Sequence, residues 1–284
     1  MTIRIRPIIS SGLACLILCA ANLSAAANSS EDCSKDFQPS SGQQGKDVVW
    51  VPTNDGLVKR MLQMADVKPT DLVYDLGAGD GKIAIAAARD FGAKSVGVEY
   101  NPNMVKLAQC IARAEGVTDR ARIVQGDIFE TDFSSATVVT LYLLPELNLK
   151  LRPTILKMKP GTRVVSHSFL MDDWEPDERS STEDGQAYLW IVPANAEGRW
   201  TFKAPDAKDT FTADLEQKFQ QVTGTAGEQK RSVANASLRG DLLSFSFDDN
   251  GTPVKVAGRI NGNRMDAEVT RGATKKKYVA QKKA

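Results

Sequence analysis

The sequence has few of the residues that enzymes use for nucleophilic or metal chemistry. Its 284 residues include one histidine, His167, and four cysteines. A single histidine excludes a multi-histidine metal site and rules out Ser-His-Asp or Cys-His arrangements elsewhere in the chain, so no metal is expected. Cys33 and Cys110 share no C-x-x-C spacing. Nothing in the sequence supports a disulfide between them, so we interpret both as free thiols.

The chain also has almost no net charge. Thirty-six lysines and arginines face 35 aspartates and glutamates, a formal net charge of +1. The protein therefore has no overall positive electrostatic field that would attract nucleic acid or an acidic partner. Lysines do concentrate in the last residues, "TRGATKKKYVAQKKA". We expect residues 273–284 to form a basic disordered tail, with a specific anionic contact as the alternative.

No apolar run reaches the 20 or so residues that a confident membrane span needs. The best candidate runs from Ile8 to about Ala21, after Arg4 and Arg6 and before a small-residue stretch ending near Ala27. This order is typical of a signal peptide, so we predict a cleaved leader over residues 1–27 and export to the periplasm. The alternatives are an uncleaved membrane anchor and a misread start of a cytosolic protein. No membrane span is expected in the mature chain.

Residues 28–47 are polar and rich in Ser, Gly and Gln, and predict a flexible linker. From Val48 the chain alternates apolar strands with amphipathic helices, which indicates an α/β domain over residues 48–192 with a doubly wound, mostly parallel sheet. The helix over residues 146–158 contains Pro153, which we expect to kink or split it. Residues 193–272 show period-2 alternation broken by Asn-Gly turns, and predict a small antiparallel β domain.

The stretch "VYDLGAGDG" places three glycines directly after an apolar strand, at Gly77, Gly79 and Gly81. Residues without Cβ let a ligand approach the backbone of a strand-to-helix turn. The loop lacks the G-K-[ST] of a phosphate-binding P-loop. Its third glycine comes one residue too early for a dinucleotide fingerprint, and Asp80 would repel a pyrophosphate. The acid suits a ligand that is cationic at this point.

Three successive strands end in carboxylates, Asp75, Glu99 and Asp127. Ligands of doubly wound sheets bind at this carboxyl edge, where a carboxylate can accept hydrogen bonds from ribose hydroxyls. The alternative is that these acids cap the following helices. Capping does not require all three strand ends to be acidic, so we favour a ligand site.

Residues 48–192 resemble a class I S-adenosylmethionine (SAM)-dependent methyltransferase with a Rossmann-like fold. "VYDLGAGDG" is similar to the family's first motif, "VGVEYNP" to its ribose-binding strand end and "VQGDIF" to its adenine-contacting segment. Four segments further resemble the small lysine methyltransferases of mitochondrial carrier and ATP synthase c-subunit proteins: "WVPTNDGLVKRMLQMA", "VEYNPNMVKLA", "LYLLPELNLKLRP" and "SHSFLMDDWEPDE". The cofactor-binding residues that the resemblance implies are Thr53, Asp75, Gly77, Ala78, Gly79, Gly81, Glu99, Tyr100, Asp127 and Ile128.

The resemblance also implies roles. The glycine loop passes against the methionine part of SAM, and Asp75 acts on its ammonium. Glu99 holds the ribose, Asp127 holds the adenine amino group and Ile128 lies beside the ring. Thr53 belongs to a segment that folds over the cofactor.

The acceptor side is expected at the end of the fourth strand, "LYLLPE". We predict Tyr142 and Glu146 as catalytic residues that orient an amine or accept its proton. The alternative is that Tyr142 is a core residue and Glu146 a helix cap. His167 is interpreted as a structural histidine rather than part of the acceptor pocket. The Asn-Pro-Pro-Tyr signature of adenine and glutamine methyltransferases is absent, which argues with the charge balance against a nucleic-acid partner.

The favoured function is methyl transfer from SAM to an amine acceptor, with a protein lysine as the expected example. One alternative is a small-molecule methyltransferase. The other is an exported methyltransferase-like protein that acts as a binding or envelope module, which the leader favours because SAM is made in the cytosol. The intact motif residues argue against that last alternative. The sequence predicts neither the acceptor's identity nor the oligomeric state.

Overall fold

The computed structural model describes residues 30–35, 37–205 and 209–283, so the predicted signal peptide lies outside the described residues. The described chain begins with helix α1 (Ser30–Cys33) and a hairpin of β1 (Gln43–Gln44) and β2 (Val49–Trp50). A disulfide joins Cys33 to Cys110. The free-thiol interpretation is therefore wrong, and the segment read as a flexible linker is anchored to the following domain. Cysteines 77 residues apart give no local spacing signal, because only the fold brings them together.

Residues 55–191 form a seven-stranded sheet with helices on both faces. Its elements are α2 (Asp55–Met64), β3 (Leu72–Leu76), α3 (Lys82–Phe91), β4 (Lys94–Glu99), α4 (Pro102–Ala114), β5 (Ala121–Gln125), β6 (Val138–Leu141), α5 (Pro145–Ile155), β7 (Arg163–His167), β8 (Glu178–Thr182) and β9 (Gly185–Ile191). The strand order is β5-β4-β3-β6-β7-β9-β8. The first five strands in this order are parallel, while β9 is antiparallel to β7 and β8. This arrangement confirms the predicted doubly wound, mostly parallel sheet.

Local sequence signals explain where the helices begin and end. Asn54 and Asn101 cap α2 and α4 by accepting hydrogen bonds from backbone N–H groups of the first turn. Gly92 ends α3 in the left-handed conformation. Helix α5 is not split at Pro153 but ends two residues later at Ile155, so the missing N–H falls in its last turn.

Apolar helix faces pack against both sides of this sheet. Leu57, Met61 and Leu62 of α2 are fully buried on one face, and α5 covers the other with Leu151 and Ile155. Burying each such side chain stabilises the fold by about 1.5–3 kcal/mol. The packed helices fix the strand ends that carry the candidate site.

Nine antiparallel strands follow and curl into a nearly closed, barrel-like sheet. They are β10 (Gly198–Lys203), β11 (Thr210–Lys218), β12 (Gln221–Ala226), β13 (Arg231–Ser232), β14 (Ala234–Arg239), β15 (Leu242–Asp249), β16 (Thr252–Asn261), β17 (Arg264–Arg271) and β18 (Thr274–Lys282). Their order is β13-β12-β11-β10-β18-β17-β16-β15-β14. Aromatic side chains fill the interior, including Trp200, Phe202, Phe211, Phe245 and Phe247. The predicted second β unit is present as a separate sheet.

The predicted disordered tail over residues 273–284 is wrong for the part that the structure describes, because Thr274–Lys282 form a strand. Strand β18 lies inside the sheet, paired with β17 on one side and β10 on the other. Tyr278 and Ala280 alternate into the core, while Lys275 forms an ion pair with Glu268 at 2.7 Å. The dense positive charge obscured this short period-2 pattern in the sequence.

The turn between β11 and β12 docks the second sheet onto the first unit. Phe219 stacks on the buried Trp174 at a ring separation of 5.8 Å, and the Arg152 guanidinium lies 5.4 Å from the Phe219 ring. The Trp174 indole N–H donates to Gln220 Oε1 at 3.0 Å. The loop after β7 is therefore braced by the second sheet. No helix in the described ranges is long and apolar enough to cross a membrane.

Deleting residues 273–284 is expected to unfold the second sheet, because it removes a strand that pairs on both edges. Thermal unfolding followed by near-ultraviolet circular dichroism should show loss of the aromatic signal from this sheet. Replacing Lys275 and Lys277 by glutamine is the matched control, since exposed ion pairs contribute only about 0–1 kcal/mol. An unchanged transition after the deletion would contradict the strand assignment.

Candidate cofactor and acceptor site

A cavity of about 270 Å³ opens at the carboxyl edge of β3, β4, β5 and β6. Nine of the ten predicted cofactor-binding residues line it, as does one of the two predicted catalytic residues. They are Thr53, Asp75, Gly77, Ala78, Gly79, Glu99, Tyr100, Asp127, Ile128 and Tyr142. Gly81 and Glu146 are not among the lining residues. The topology thus brings together residues that are up to 89 positions apart in the chain, from Thr53 to Tyr142.

The glycine loop is held close to its neighbours. The N–H groups of Gly77 and Ala78 donate to Val98 O at 2.9 and 3.0 Å. Gly77 and Gly79 have φ angles of +81° and +55°, in the left-handed region where side chains cause strain. Gly81 instead caps α3, and a Cβ there would lie 2.9 Å from the Ala108 side chain. The close packing of α3 against α4 therefore explains why residue 81 is a glycine.

Asp75 is a buried acid with one open oxygen. Asp75 is the next-to-last residue of β3 and is 2% exposed. Its Oδ1 accepts a 2.7 Å hydrogen bond from Thr140 Oγ1. Its Oδ2 has no hydrogen-bond partner. Burial, with smaller contributions from the Asp80 and Glu99 carboxylates, raises the pKa of Asp75 to about 7. A cationic group in the cavity would satisfy this oxygen, which fits the ammonium of SAM.

Glu99 and Asp127 each bond to nearby backbone. Glu99 accepts from the N–H of Gly79 at 2.9 Å and from Asn101 N–H at 2.8 Å. Asp127 Oδ1 accepts from Phe129 N–H at 2.9 Å, and Oδ2 accepts from Lys46 Nζ. The bond from Lys46 is the largest cause that lowers the pKa of Asp127. The backbone N–H groups that bond to Glu99 and Asp127 lie in loops rather than in the first turn of a following helix, and both carboxylates line the cavity.

The end of the cavity at which the sequence predicts the acceptor is aromatic and apolar. Tyr142 lies there with Leu144, Leu147 and Phe169. Its ring stacks on His167 at a centroid distance of 3.7 Å, and burial raises the pKa of the Tyr142 hydroxyl. The hydroxyl therefore stays protonated at neutral pH, available to donate or accept a hydrogen bond.

His167 lies behind Tyr142 and outside the residues that line the cavity. It is 7% exposed, and its Nδ1 lies 3.1 Å from Thr53 Oγ1. Burial lowers the pKa of His167 to about 4, so the ring is neutral at physiological pH. These contacts agree with a structural histidine that joins the Thr53 segment to Tyr142.

Glu146 lies on the exposed first turn of α5. Its acidic position near the helix N-terminus suits the helix dipole. Its predicted role toward the acceptor stays a prediction. In the described part of the chain, no group of three or more His, Cys, Asp or Glu side chains could hold a metal ion.

The sequence did not indicate the wall formed by residues 43–50, which line the cavity together with Thr53. Residues 43–47 belong to the predicted linker, and residues 48–50 begin the predicted α/β domain. The apolar run that begins at Val48 marks the start of ordered sequence, but it is too short to place a wall over a distant strand edge.

Replacing Asp75 by asparagine should stabilise the cofactor-free protein at alkaline pH. Because the folded pKa of about 7 lies above the ordinary 3.8, the folded protein holds a proton that the unfolded chain releases. The stabilisation that this proton gives the folded state is complete below the unfolded pKa and is lost as the pH rises through 7. The melting temperature of the variant should therefore exceed that of wild type at pH 8 by at least about 3 °C, and by much less at pH 5.

Thermal scans from pH 5 to 8 measure this difference. The exposed Asp119→Asn substitution serves as the control and should follow wild type throughout. A gap between Asp75→Asn and wild type that does not grow with pH would refute the burial of an ionisable Asp75.

Comparison with known proteins confirms the predicted class. A model of the ANTKMT methyltransferase domain matches residues 75–178. A protein-lysine N-methyltransferase of Saccharolobus islandicus (strain REY15A) is 48% identical over 151 residues, which is 51% of this chain and 94% of that protein. A Xenopus laevis lysine N-methyltransferase, named for the c-subunit of ATP synthase, is 33% identical over 132 residues, 45% of this chain and 56% of that protein.

Among solved structures, the crystal structure of an RNA methyltransferase from Salinibacter ruber with S-adenosyl-L-homocysteine matches with a TM-score of 0.50 and 51% identity. The match covers 51% of this chain and 95% of that one. The fold, SAM as cofactor and methyl transfer as the reaction are thereby confirmed. Since it is 48% identical to the archaeal relative over nearly that relative's whole length, the chain belongs to the same family of SAM-dependent methyltransferases as the protein-lysine N-methyltransferases.

Proposed function

We propose that this methyltransferase modifies the ε-amine of a protein lysine. The 48% identity to a protein-lysine N-methyltransferase, over 94% of that protein, carries the proposal. The shape and chemistry of the acceptor end support it. Tyr142, Leu144, Leu147 and Phe169 form an apolar and aromatic rim, which suits a side chain with a long apolar stem and an amine at its tip.

Four contacts to the cofactor are proposed. Asp75 accepts from the ammonium of SAM through its open Oδ2. Glu99 accepts from the ribose hydroxyls while its bonds to Gly79 and Asn101 keep it fixed, and Asp127 accepts from the adenine amino group beside Ile128. Tyr100, exposed at the mouth, covers the adenine end of the cavity.

When bound, SAM supplies a methyl group on a sulfonium, which is an electrophile that needs no further activation. The chain's own residues align the nucleophile and exclude water. The apolar rim disfavours a charged ammonium, so the acceptor lysine enters as a neutral amine. The protonated Tyr142 hydroxyl then accepts a hydrogen bond from the amine and orients its lone pair. His167 keeps the Tyr142 ring in place without exchanging a proton.

Export is proposed from the predicted leader and from the Cys33–Cys110 disulfide. Disulfides persist in oxidising compartments and are rare in the cytosol. Both features support an oxidising, extracytoplasmic location such as the periplasm. We further propose that residues 48–192 are the catalytic domain and that the second sheet is a separate structural domain braced against it.

Transfer of tritiated methyl groups from SAM to an extract of the native cells tests the acceptor class. Label recovered as methyl-lysine after acid hydrolysis of protein is the expected result. Label that ribonuclease releases, or that stays in the small-molecule fraction, would contradict a lysine acceptor. Ribonuclease treatment also tests RNA as the acceptor, since the similar Salinibacter ruber protein is described as an RNA methyltransferase.

Glu99→Ala is expected to weaken SAM binding about 5- to 150-fold, or 1–3 kcal/mol, because it leaves buried donors unpaired. Isothermal titration calorimetry of the folded variant measures the change. The exposed Glu115→Ala substitution removes the same charge outside the cavity and should bind as wild type does. Equal SAM affinity in wild type and Glu99→Ala would refute the ribose assignment.

Tyr142→Phe should lower kcat by about 10- to 100-fold while SAM affinity changes little, because the lost hydroxyl faces the acceptor. Glu146→Gln is the paired variant, and its exposed position predicts a change in kcat within about twofold. Methyl transfer and SAM titration on both variants separate the two proposed catalytic residues. A large loss of kcat for Glu146→Gln alone would assign the role to Glu146 instead.

A further inference from the structure

One wall of the cavity comes from a segment that precedes the residues matched by the family model. Residues 43–53 all line the cavity, whereas the family model begins at Asp75. We call residues 37–53 the strap. The strap includes the β1–β2 hairpin, in which Gln43 and Trp50 are paired. Residues 37–52 are half-exposed or exposed and lie outside both main sheets, with Val48 packed at the margin of the first core, whereas Thr53 is buried at the fixed end of the strap.

The strap is fixed at both of its ends. Upstream, the Cys33–Cys110 disulfide ties the chain to α4, and the start of α4 lines the same cavity through Asn101 and Met104. Downstream, Lys82 Nζ donates to Thr53 O at 3.1 Å. Between these anchors, residues 43–53 line the cavity.

Between its ends, the strap contacts both halves of the cofactor site. Lys46 Nζ bonds to Asp127 Oδ2 and lies 4.9 Å from the centre of the Tyr100 ring. Trp50 lies on the glycine loop, since a Cβ on Gly79 would be 2.6 Å from the indole Nε1. Lys46 thus holds the carboxylate proposed for adenine, and Trp50 covers the loop proposed for methionine.

We propose that the strap is a gate for cofactor exchange, latched by the Lys46–Asp127 ion pair and restrained by the Cys33–Cys110 disulfide. SAM enters and S-adenosylhomocysteine leaves only when Lys46 releases Asp127 and the hairpin swings away from the glycine loop. An ion pair with a 37% exposed lysine side chain is weak enough to break repeatedly. The disulfide shortens the free part of the strap, which keeps the latch groups near each other after each opening. The gate rests on the proposed positions of SAM on Asp127 and the glycine loop.

A gate controls rates more than affinity. Freeing it raises the rate constants for association and dissociation together, so their ratio, Kd, changes less than either one. A residue that only contacts bound cofactor behaves differently, because its loss raises the dissociation rate and Kd in parallel. Rate measurements therefore separate a gate from an ordinary binding contact.

The test follows association and dissociation of tritiated SAM by rapid filtration, with excess S-adenosylhomocysteine as the chase. The variants are Lys46→Ala and the double substitution Cys33→Ser with Cys110→Ser, each in the otherwise complete mature chain. Both rate constants should rise about fivefold or more in each variant, with Kd within about twofold of wild type. Lys35→Ala removes a charge from the same N-terminal segment outside the cavity and should leave both rates unchanged.

Two results would overturn the gate. One is that either variant keeps both rate constants within about twofold of wild type. The other is that dissociation alone accelerates and Kd rises by the same factor. The assay contains no methyl acceptor, so failure of the lysine assignment would not affect it. Absence of SAM binding to wild type would remove the gate together with the cofactor site.

Discussion

Three carboxylates gathered at one sheet edge are the constraint on which the site depends. Asp75 and Glu99 lie at the ends of β3 and β4, and Asp127 follows β5. Burial and, to a smaller extent, the Asp80 and Glu99 carboxylates raise the pKa of Asp75. Backbone N–H groups satisfy Glu99, and Lys46 neutralises Asp127. Asp75 alone keeps a buried oxygen without a partner. A cation at the end of β3 would satisfy this oxygen, and this is the position proposed for the SAM ammonium.

The rest of the chain keeps this edge in place. The glycine loop approaches the carboxylates because Gly77 and Gly79 adopt left-handed conformations. The buried His167 links Thr53 on one wall to Tyr142 on the other, so the cofactor side and the acceptor side share one hydrogen-bonded and stacked unit. The second sheet braces the loop after β7 through Phe219 and Trp174. The strap lines the remaining side of the cavity, and the disulfide anchors the segment before it to α4.

The sequence predicted the parts that depend on local patterns. Strand and helix periodicity gave the doubly wound sheet, and the acids at three strand ends located the cavity. Three features depend on contacts between distant residues and were missed or misread. The Cys33–Cys110 bridge and the strap form only once α4 and the strand edge are folded. Strand β18 was read as a tail because its lysines hide the alternation of Tyr278 and Ala280.

Proton release on SAM binding is the most direct test of the proposal that the SAM ammonium binds beside the buried Asp75. A cation beside Asp75 lowers its pKa from about 7, so the half-protonated carboxyl must lose its proton. Calorimetric titration at pH 7 in buffers of different ionisation enthalpy should show release of roughly half a proton per bound SAM. Binding without proton release, or with proton uptake, would contradict the placement of the SAM ammonium on Asp75.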